Sequence, residues 1–173
     1  MLPCAGVSET SDLDREDQIL ELAMAGDAGA QFSLALRYEF GAPGVVPDTA
    51  VSAAWFKKAA EGGISGAYLY LGLKYENGSG ITQNLRQAAI CYCQAADDDW
   101  AAARYFLAVL YQDGRGVPQD DRIALAWYRL AAEQGYPGAE EGVKEMSDRM
   151  GQEFLTDLAG NDLILTKKAC AGL

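Results

Sequence analysis

The sequence contains no histidine. Histidine is the commonest general base, the usual activator of a serine or cysteine nucleophile and a favoured zinc ligand, so most hydrolases and zinc sites are disfavoured. There is also no run of ~18 apolar residues, the length that a membrane-spanning helix requires. The sequence therefore predicts no catalytic residue, no metal, no cofactor and no membrane span.

Basic residues are scarce as well. There are 14 Lys and Arg against 25 Asp and Glu, which gives a formal net charge of −11. Because phosphate binding needs clustered cations, DNA and RNA are not expected as partners. The acidity either serves solubility or attracts a basic protein partner, and both interpretations stay open here.

Cysteine is present but scattered, at Cys4, Cys91, Cys93 and Cys170. Cys91 and Cys93 are one residue apart on a predicted helix, so they point to different sides of it. This distribution predicts reduced thiols and a cytoplasmic location. Residues 1–11 have neither a basic flank nor an apolar run, so they do not form a secretory signal, and a signal removed before this numbering begins is the open alternative.

The last four residues, from Cys170 to Leu173, have the outline of a prenylation box, with Lys167 and Lys168 just upstream. Gly172 stands where an aliphatic side chain is preferred. An ordinary chain terminus is the favoured interpretation.

The chain does contain three copies of one unit, beginning at Ala30, Ala67 and Ala103. Spacings of 37 and 36 residues are typical of stacked helical hairpins. In each first helix a leucine is followed by a small residue and, three residues later, by a tyrosine, which makes one apolar stripe that another helix can approach closely. These residues are Leu34, Ala35 and Tyr38, then Leu71, Gly72 and Tyr75, then Leu107, Ala108 and Tyr111.

A turn and a second helix follow in every copy. Paired glycines allow the left-handed backbone that ends a helix, and a short oxygen-bearing residue can then cap the next one. The caps are Asp48, Asn84 and Asp120. The second helices carry a bulky pair before two alanines, and these pairs are Trp55-Phe56, Cys91-Tyr92 and Trp127-Tyr128.

Together these residues resemble the Sel1-like repeat, a relative of the tetratricopeptide repeat. Residues 103–135 meet the family pattern almost in full, whereas the other copies depart from it at Cys91, Asp99 and Ala35 and by one inserted loop residue. The resemblance implies an all-α fold, a right-handed α-solenoid of stacked antiparallel helix pairs in a tetratricopeptide-like superhelix. It also implies protein binding, and no shared chemistry.

The register predicts a mobile segment at 1–11, a capping helix at 12–26, and three full repeats with the start of a fourth at 27–150. Capping helices and a tail follow at 151–173. Within the repeats, helix pairs are predicted at 28–40 and 48–62, 64–77 and 84–97, and 100–113 and 120–134. One longer closing helix over 138–159 and a short one over 162–169 are expected to end the chain.

In tetratricopeptide-like stacks the first helix of each pair lines a concave groove. Aligning the copies predicts a partner-binding groove with an apolar floor and one acidic lip. Its residues are Phe32, Leu36, Glu39 and Phe40, then Leu69, Leu73, Glu76 and Asn77, then Tyr105, Val109, Gln112 and Asp113. The alternative is that these apolar residues merely contact neighbouring helices.

The preferred function is a non-catalytic adaptor or scaffold that binds a protein or peptide, basic in character and with apolar anchors. An immunity or inhibitor protein that neutralises a toxin or effector is the alternative, since compact bacterial members of the family fill that role. A β-lactamase-like hydrolase is a remote alternative, suggested by cysteine-rich relatives. The absence of paired cysteines and of a Ser-x-x-Lys motif weighs against it.

Overall fold

The computed structural model describes residues 12–151 and 161–173. This part of the chain forms nine α-helices and one isolated β-bridge between Ala42 and Val45, which confirms the all-α class. None of these helices combines the length and apolar character that crossing a membrane needs. The helices are α1 Asp12–Met24, α2 Ala28–Phe40, α3 Thr49–Glu61, α4 Ser65–Asn77, α5 Leu85–Asp97, α6 Ala101–Asp113, α7 Asp121–Ala132, α8 Ala139–Met150 and α9 Asp162–Ala171.

The chain divides into two compact units, Met1–Ile64 and Ser65–Leu173. In the first unit α2 packs against both α1 and α3. In the second unit each helix from α4 to α8 packs against the next, and α9 packs on α7. This succession of packed neighbours is the arrangement that the repeat predicts. The predicted mobile segment at 1–11 lies outside the described residues.

Each helical hairpin is closed by the same two interactions around its capping residue. The side chain of the cap accepts hydrogen bonds from backbone N–H groups in the first turn of the second helix, as predicted for Asp48, Asn84 and Asp120. The backbone N–H of the same residue donates to the carbonyl of the repeat tyrosine, at 2.8, 2.8 and 3.0 Å for Tyr38, Tyr75 and Tyr111. One residue thus ties the end of the first helix to the start of the second.

The two glycines of the third copy are needed for different reasons, one for the backbone conformation of the turn and one for close packing against the backbone of α5. Gly114 ends α6 with φ 66° and ψ 32°, in the left-handed region. Gly116 also has a positive φ, and a β-carbon there would lie 2.4 Å from the carbonyl carbon of Leu85. Copy one, which has one inserted loop residue, ends its first helix differently. Gly41 has φ 85° but an extended ψ of 156°, so it does not adopt the left-handed helical conformation of Gly114.

The apolar stripe of the first helices is buried. Leu34, Leu71 and Leu107 are at most 5% exposed. The small residue that follows each leucine makes room for the second helix of the hairpin. At Gly72 a β-carbon would lie only 2.5 Å from a ring carbon of Tyr92, which is itself fully buried.

The sequence predicts an apolar face on α1 formed by Ile19, Leu20, Leu22 and Ala23, and two details of the end helices differ from the sequence predictions. In α1, Ala23 is buried and its carbonyl accepts a hydrogen bond from Gln31 Nε2 at 3.1 Å, but Leu20 and Leu22 are exposed. α8 ends at Met150 rather than continuing through Gly151, where φ is 74°. The rest of the predicted closing helix, residues 152–159, lies outside the described residues.

The prediction of reduced thiols is wrong for two cysteines, because Cys93 of α5 and Cys170 of α9 form a disulfide. The C-terminal helix folds back onto the second unit, where Arg129 pairs with Asp162 at 3.6 Å and Arg86 donates to the carbonyl of Leu173 at 2.8 Å. That return brings together two cysteines 77 residues apart. With its sulfur bonded, Cys170 offers no free thiol for prenylation.

Candidate functional site

The predicted groove residues of the first unit lie on α2. Phe32 and Leu36 are half-buried, and the Phe32 ring contacts Phe56 of α3 at a centroid distance of 5.8 Å. Phe40 is 68% exposed at the end of the helix. Glu39 accepts a hydrogen bond from Ser52 Oγ at 2.7 Å. The predicted acidic residue is thus bonded to the second helix of its own hairpin.

On α4, in the second unit, the predicted residues differ in how much they are exposed. Leu69 is buried in the core, Leu73 is half-buried, and Asn77 is exposed. Glu76 accepts a hydrogen bond from the Tyr92 hydroxyl at 2.8 Å and pairs with Arg115 at 3.1 Å. As on α2, the acidic position is connected to the second helix of the hairpin.

The predicted residues of α6 come together around one cavity of about 270 Å³, which we call the α6–α8 cavity. It opens between two consecutive first helices, and buried Tyr128 of α7 contributes to its lining. The residues that line it are Tyr105, Val109, Gln112, Asp113, Tyr128, Gly138, Glu141, Gly142 and Glu145.

Gln112 is held in place by hydrogen bonds on both sides of its amide. Its oxygen accepts from the Tyr128 hydroxyl, and its Nε2 donates to Glu145 Oε1 at 3.0 Å. Gln112 occupies the position of Glu39 and Glu76 in the earlier copies. In all three repeats, therefore, this polar position connects the first helix to the second.

Sequence reasoning missed Glu141 and Glu145, although the register contained a signal for them. Adding the 36-residue period to Tyr105 and Val109 gives residues 141 and 145. The fourth copy lacks the tyrosine and the paired glycines, so the register was not extended into its groove face. α8 nevertheless keeps the first-helix position.

The α6–α8 cavity has an aromatic side and a negative charge. The Tyr105 ring lies 5.6 Å from Tyr128 and 4.9 Å from Tyr136, measured between centroids. Its lining includes three carboxylates and no lysine or arginine. Burial raises the pKa of the Tyr128 hydroxyl, and the negative charges of Glu145 and Asp113 raise it further. The electrostatic environment of the cavity therefore favours a cation.

The described residues offer little for nucleophilic or metal chemistry. Cys91 is a free cysteine but is buried, and desolvation raises its pKa to about 12, so it stays a neutral thiol at neutral pH. Across residues 12–151 and 161–173, no group of three or more Cys, Asp or Glu side chains is placed to hold a metal ion.

Comparison with known proteins identifies the repeat. The model of the Sel1 repeat matches residues 28–64, 65–99 and 101–136. A Sel1 repeat protein from Oxalobacter formigenes is 32% identical in sequence, and the match covers 76% of this chain and 98% of that one with a TM-score of 0.68. No curated protein matches the chain.

Two further solved structures share the fold. The protein c5321, a protective antigen of uropathogenic Escherichia coli, is 33% identical, with 78% of this chain and 33% of that chain covered and a TM-score of 0.65. Helicobacter pylori cysteine rich protein B is 21% identical, with 78% and 97% covered and a TM-score of 0.56. Sel1 repeat proteins are generally protein-interaction modules and typically lack catalytic activity.

Proposed function

The chain belongs to the Sel1 repeat family, and we propose that it is a non-catalytic module that binds a protein or peptide along its first helices. One observation carries the proposal. The four residues that the repeat register assigns to the groove on α6 line a single cavity together with Glu141 and Glu145 of the next first helix. A concave, partly apolar surface with a few placed polar groups is the usual form of a binding site.

The partner we propose is basic and carries apolar anchors. The half-buried side chains of Leu73, Tyr105 and Val109 offer apolar contact area, and the carboxylates beside them are complementary to Lys or Arg. For Phe32, Leu36 and Phe40 on α2, participation in the groove rests on the repeat register alone.

The lack of catalysis is part of the proposal. The chain has no histidine, and its free Cys91 is buried with a raised pKa. Both features remove common ways of activating a nucleophile.

We further infer that the protein works in an oxidising compartment. The expected cytoplasmic location rested on reduced cysteines, and the Cys93–Cys170 disulfide removes that support. Disulfides persist mainly outside the reducing cytosol. Trapping free thiols during extraction from native cells would test this inference, because the disulfide form should carry two fewer alkylated cysteines than the reduced chain.

A capture experiment with groove variants tests the binding function. Leu73→Glu and Val109→Glu each place a charge on the proposed groove, whereas Ile164→Glu makes the same change on α9 at a side chain that is 69% exposed. Wild type and Ile164→Glu should capture a stoichiometric partner that cross-links to residues 105–113, and both groove variants should lose it. Circular dichroism of each variant shows whether the fold is intact.

Retention of the partner by folded Leu73→Glu and Val109→Glu would move the binding surface away from the first helices. Turnover of a small substrate by the purified protein would overturn the non-catalytic part of the proposal.

A further inference from the structure

We propose that the α6–α8 cavity receives one arginine side chain of the partner, with its guanidinium against the Tyr105 ring and beside the carboxylates of Asp113 and Glu141. This inference rests on the proposed function, since it names the anchor that the same groove would hold. It goes beyond general attraction between an acidic module and a basic protein, because it assigns one residue type to one cavity.

A comparison of successive repeats shows why a cavity opens at this place. At the preceding junction, where α6 follows α5, Phe106 of α6 stacks on Tyr92 of α5 with ring centroids 5.3 Å apart. One period later the corresponding residues are Gly142 of α8 and Tyr128 of α7. Gly142 has no ring to stack on Tyr128, and both residues line the 270 Å³ cavity. The α6–α8 junction thus lacks the ring that stacks on the corresponding tyrosine at the junction before it.

The loss of this ring allows α8 to lie close to α7. A β-carbon at Gly142 would be 2.5 Å from ring carbons of Tyr128, so even an alanine cannot be placed there without a shift. The cavity wall is thus built on packed helices rather than on a loop. A rigid wall lowers the entropic cost of holding a ligand in one orientation.

One of the three carboxylates that line the cavity has a cationic partner, and two do not. Glu145 pairs with Arg149 at 2.8 Å and accepts from Gln112 Nε2 at 3.0 Å. Among the described parts of the chain, neither Asp113 nor Glu141 forms an ion pair. Two carboxylates therefore remain available for a cation that enters the cavity, and charge complementarity selects a basic side chain.

The aromatic side favours arginine over lysine. A planar guanidinium stacks on a tyrosine face and donates in a fork to carboxylates, whereas an ammonium is a compact and more strongly hydrated charge. Tyr105 is held by edge contacts with Tyr128 and Phe106, at centroid distances of 5.6 and 5.9 Å, and by the tilted ring of Tyr136 at 4.9 Å. Its ring is thus already oriented before a partner arrives.

Nuclear magnetic resonance titrations with small probes test the inference directly. Ethylguanidinium chloride carries the arginine headgroup, N-ethylurea is its neutral analogue, and ethylammonium chloride represents lysine. In the ¹⁵N-labelled full chain, ethylguanidinium should shift the backbone amides of residues 105–113 and 138–145 in a saturable way. The urea should shift none of them, and the ammonium should bind more weakly.

Two matched variants localise the effect. Glu141→Gln removes a carboxylate that lines the cavity, and Glu140→Gln removes the neighbouring one on α8, which does not line it. Loss of one exposed carboxylate should weaken ethylguanidinium binding about 1.5- to 5-fold in the first variant, and the second should bind as wild type does.

The inference is overturned if ethylguanidinium shifts no cavity amide, if the urea or the ammonium binds equally well, or if both variants weaken binding alike. These results leave the proposed function untouched, because capture of the partner and its loss in Leu73→Glu are measured separately. Conversely, if the protein binds ethylguanidinium in the cavity but captures no partner, the proposed arginine site stands and the proposed binding function is contradicted.

Discussion

In repeat one, Phe56 occupies the position that Tyr92 holds in repeat two, and the acidic residue of each hairpin takes its hydrogen bond from a different donor. Glu76 accepts from the Tyr92 hydroxyl at 2.8 Å. Phe56 has no hydroxyl, and Glu39 accepts instead from Ser52, one helical turn earlier, at 2.7 Å. The residue of repeat two that corresponds to Ser52 is Ala88, whose side chain has no hydrogen-bond donor.

The comparison teaches that the polar position at the end of each first helix connects the two helices of its own hairpin. Either a tyrosine hydroxyl or a serine hydroxyl can supply the bond, provided that one of them is present. A carboxylate left without its donor would cost about 1–3 kcal/mol. Changes at Glu39 or Glu76 would therefore alter stability as well as binding, which is why the groove variants are placed at apolar positions.

The largest expected effect on the free energy of unfolding comes from removing the disulfide, which lies in the second unit and has no counterpart among the described residues of the first. Replacing Cys93 and Cys170 together by alanine frees a segment of 77 residues, and the chain-entropy estimate for such a loop is about 4–5 kcal/mol, within an observed range of ~2–5. Urea unfolding should show a loss of this order. Amide hydrogen exchange should rise in α9 and remain unchanged in α1 to α3.

Cys91→Ala is the control, because it removes the free buried thiol and leaves the disulfide intact. Treatment with a reductant should destabilise wild type and have no effect on the double variant. Equal stability of wild type and double variant would show that the disulfide adds nothing to the second unit.

A second test concerns the small residue that follows the leucine. Repeat one has Ala35 there, whereas repeat two has Gly72, where an added β-carbon would lie 2.5 Å from the Tyr92 ring. Gly72→Ala should destabilise the protein by about 1–3 kcal/mol through overpacking, despite the better helix propensity of alanine. The measurement is the thermal midpoint of unfolding.

Ala35→Gly serves as the reciprocal change and should cost about 0.5–1 kcal/mol from helix propensity. A rise in the thermal midpoint of Gly72→Ala would contradict the close packing of Tyr92 against α4.

The third test converts repeat two to the arrangement of repeat one. Tyr92→Phe should lose about 1–2 kcal/mol, because Glu76 then keeps only its pairing with Arg115. Adding Ala88→Ser should recover about 0.5–1 kcal/mol by supplying the serine donor. Equilibrium unfolding of the two variants measures the difference.

Ser52→Ala in repeat one is the matched loss and should cost about 1 kcal/mol. If Ala88→Ser destabilises the Tyr92→Phe variant further, the two donors are not interchangeable and the comparison of the repeats fails.

The smallest effect on stability is expected just above pH ~10, where tyrosine begins to ionise in the unfolded chain. Burial, followed by the hydrogen bond to Glu76, raises the pKa of the Tyr92 hydroxyl above its ordinary value. The unfolded chain releases this proton near pH ~10 while the folded chain keeps it, so stability is intact below that pH and falls as the pH rises. Tyr92→Phe should make the fall shallower by at most about 1.4 kcal/mol per pH unit.

Ser52→Ala is again the control, since it removes a hydrogen bond but no titrating phenol. Parallel stability curves for wild type and Tyr92→Phe above pH ~10 would mean that Tyr92 ionises as readily in the folded chain as in the unfolded one.

The sequence predicted those features that a repeated local pattern determines. The helix pairs, the caps at Asp48, Asn84 and Asp120 and the buried leucine stripe follow from contacts between residues close in the chain. Where the pattern decays after Gly138, prediction became weaker, and α8 was made too long.

The lining of the α6–α8 cavity was predicted only in part. The α6 residues do line one cavity, but Glu141, Glu145 and Gly142 complete it from a helix whose copy is degenerate. The sequence analysis also did not predict that Glu39 and Glu76 accept hydrogen bonds within their own hairpins. The donors, Ser52 and Tyr92, stand at different positions of the repeat, so aligning the copies does not show the shared interaction.

The amino-acid sequence by itself determined the helical repeat, its period and its capping chemistry, since these depend on residues a few positions apart. Only the tertiary structure decided that Cys93 meets Cys170 and that α8 packs on Tyr128 at Gly142, beside a cavity that both residues line. The physical reason is that a pairing across 77 residues leaves no periodic trace in the sequence, and that the repeat places α8 after α7 without determining how closely the two helices pack.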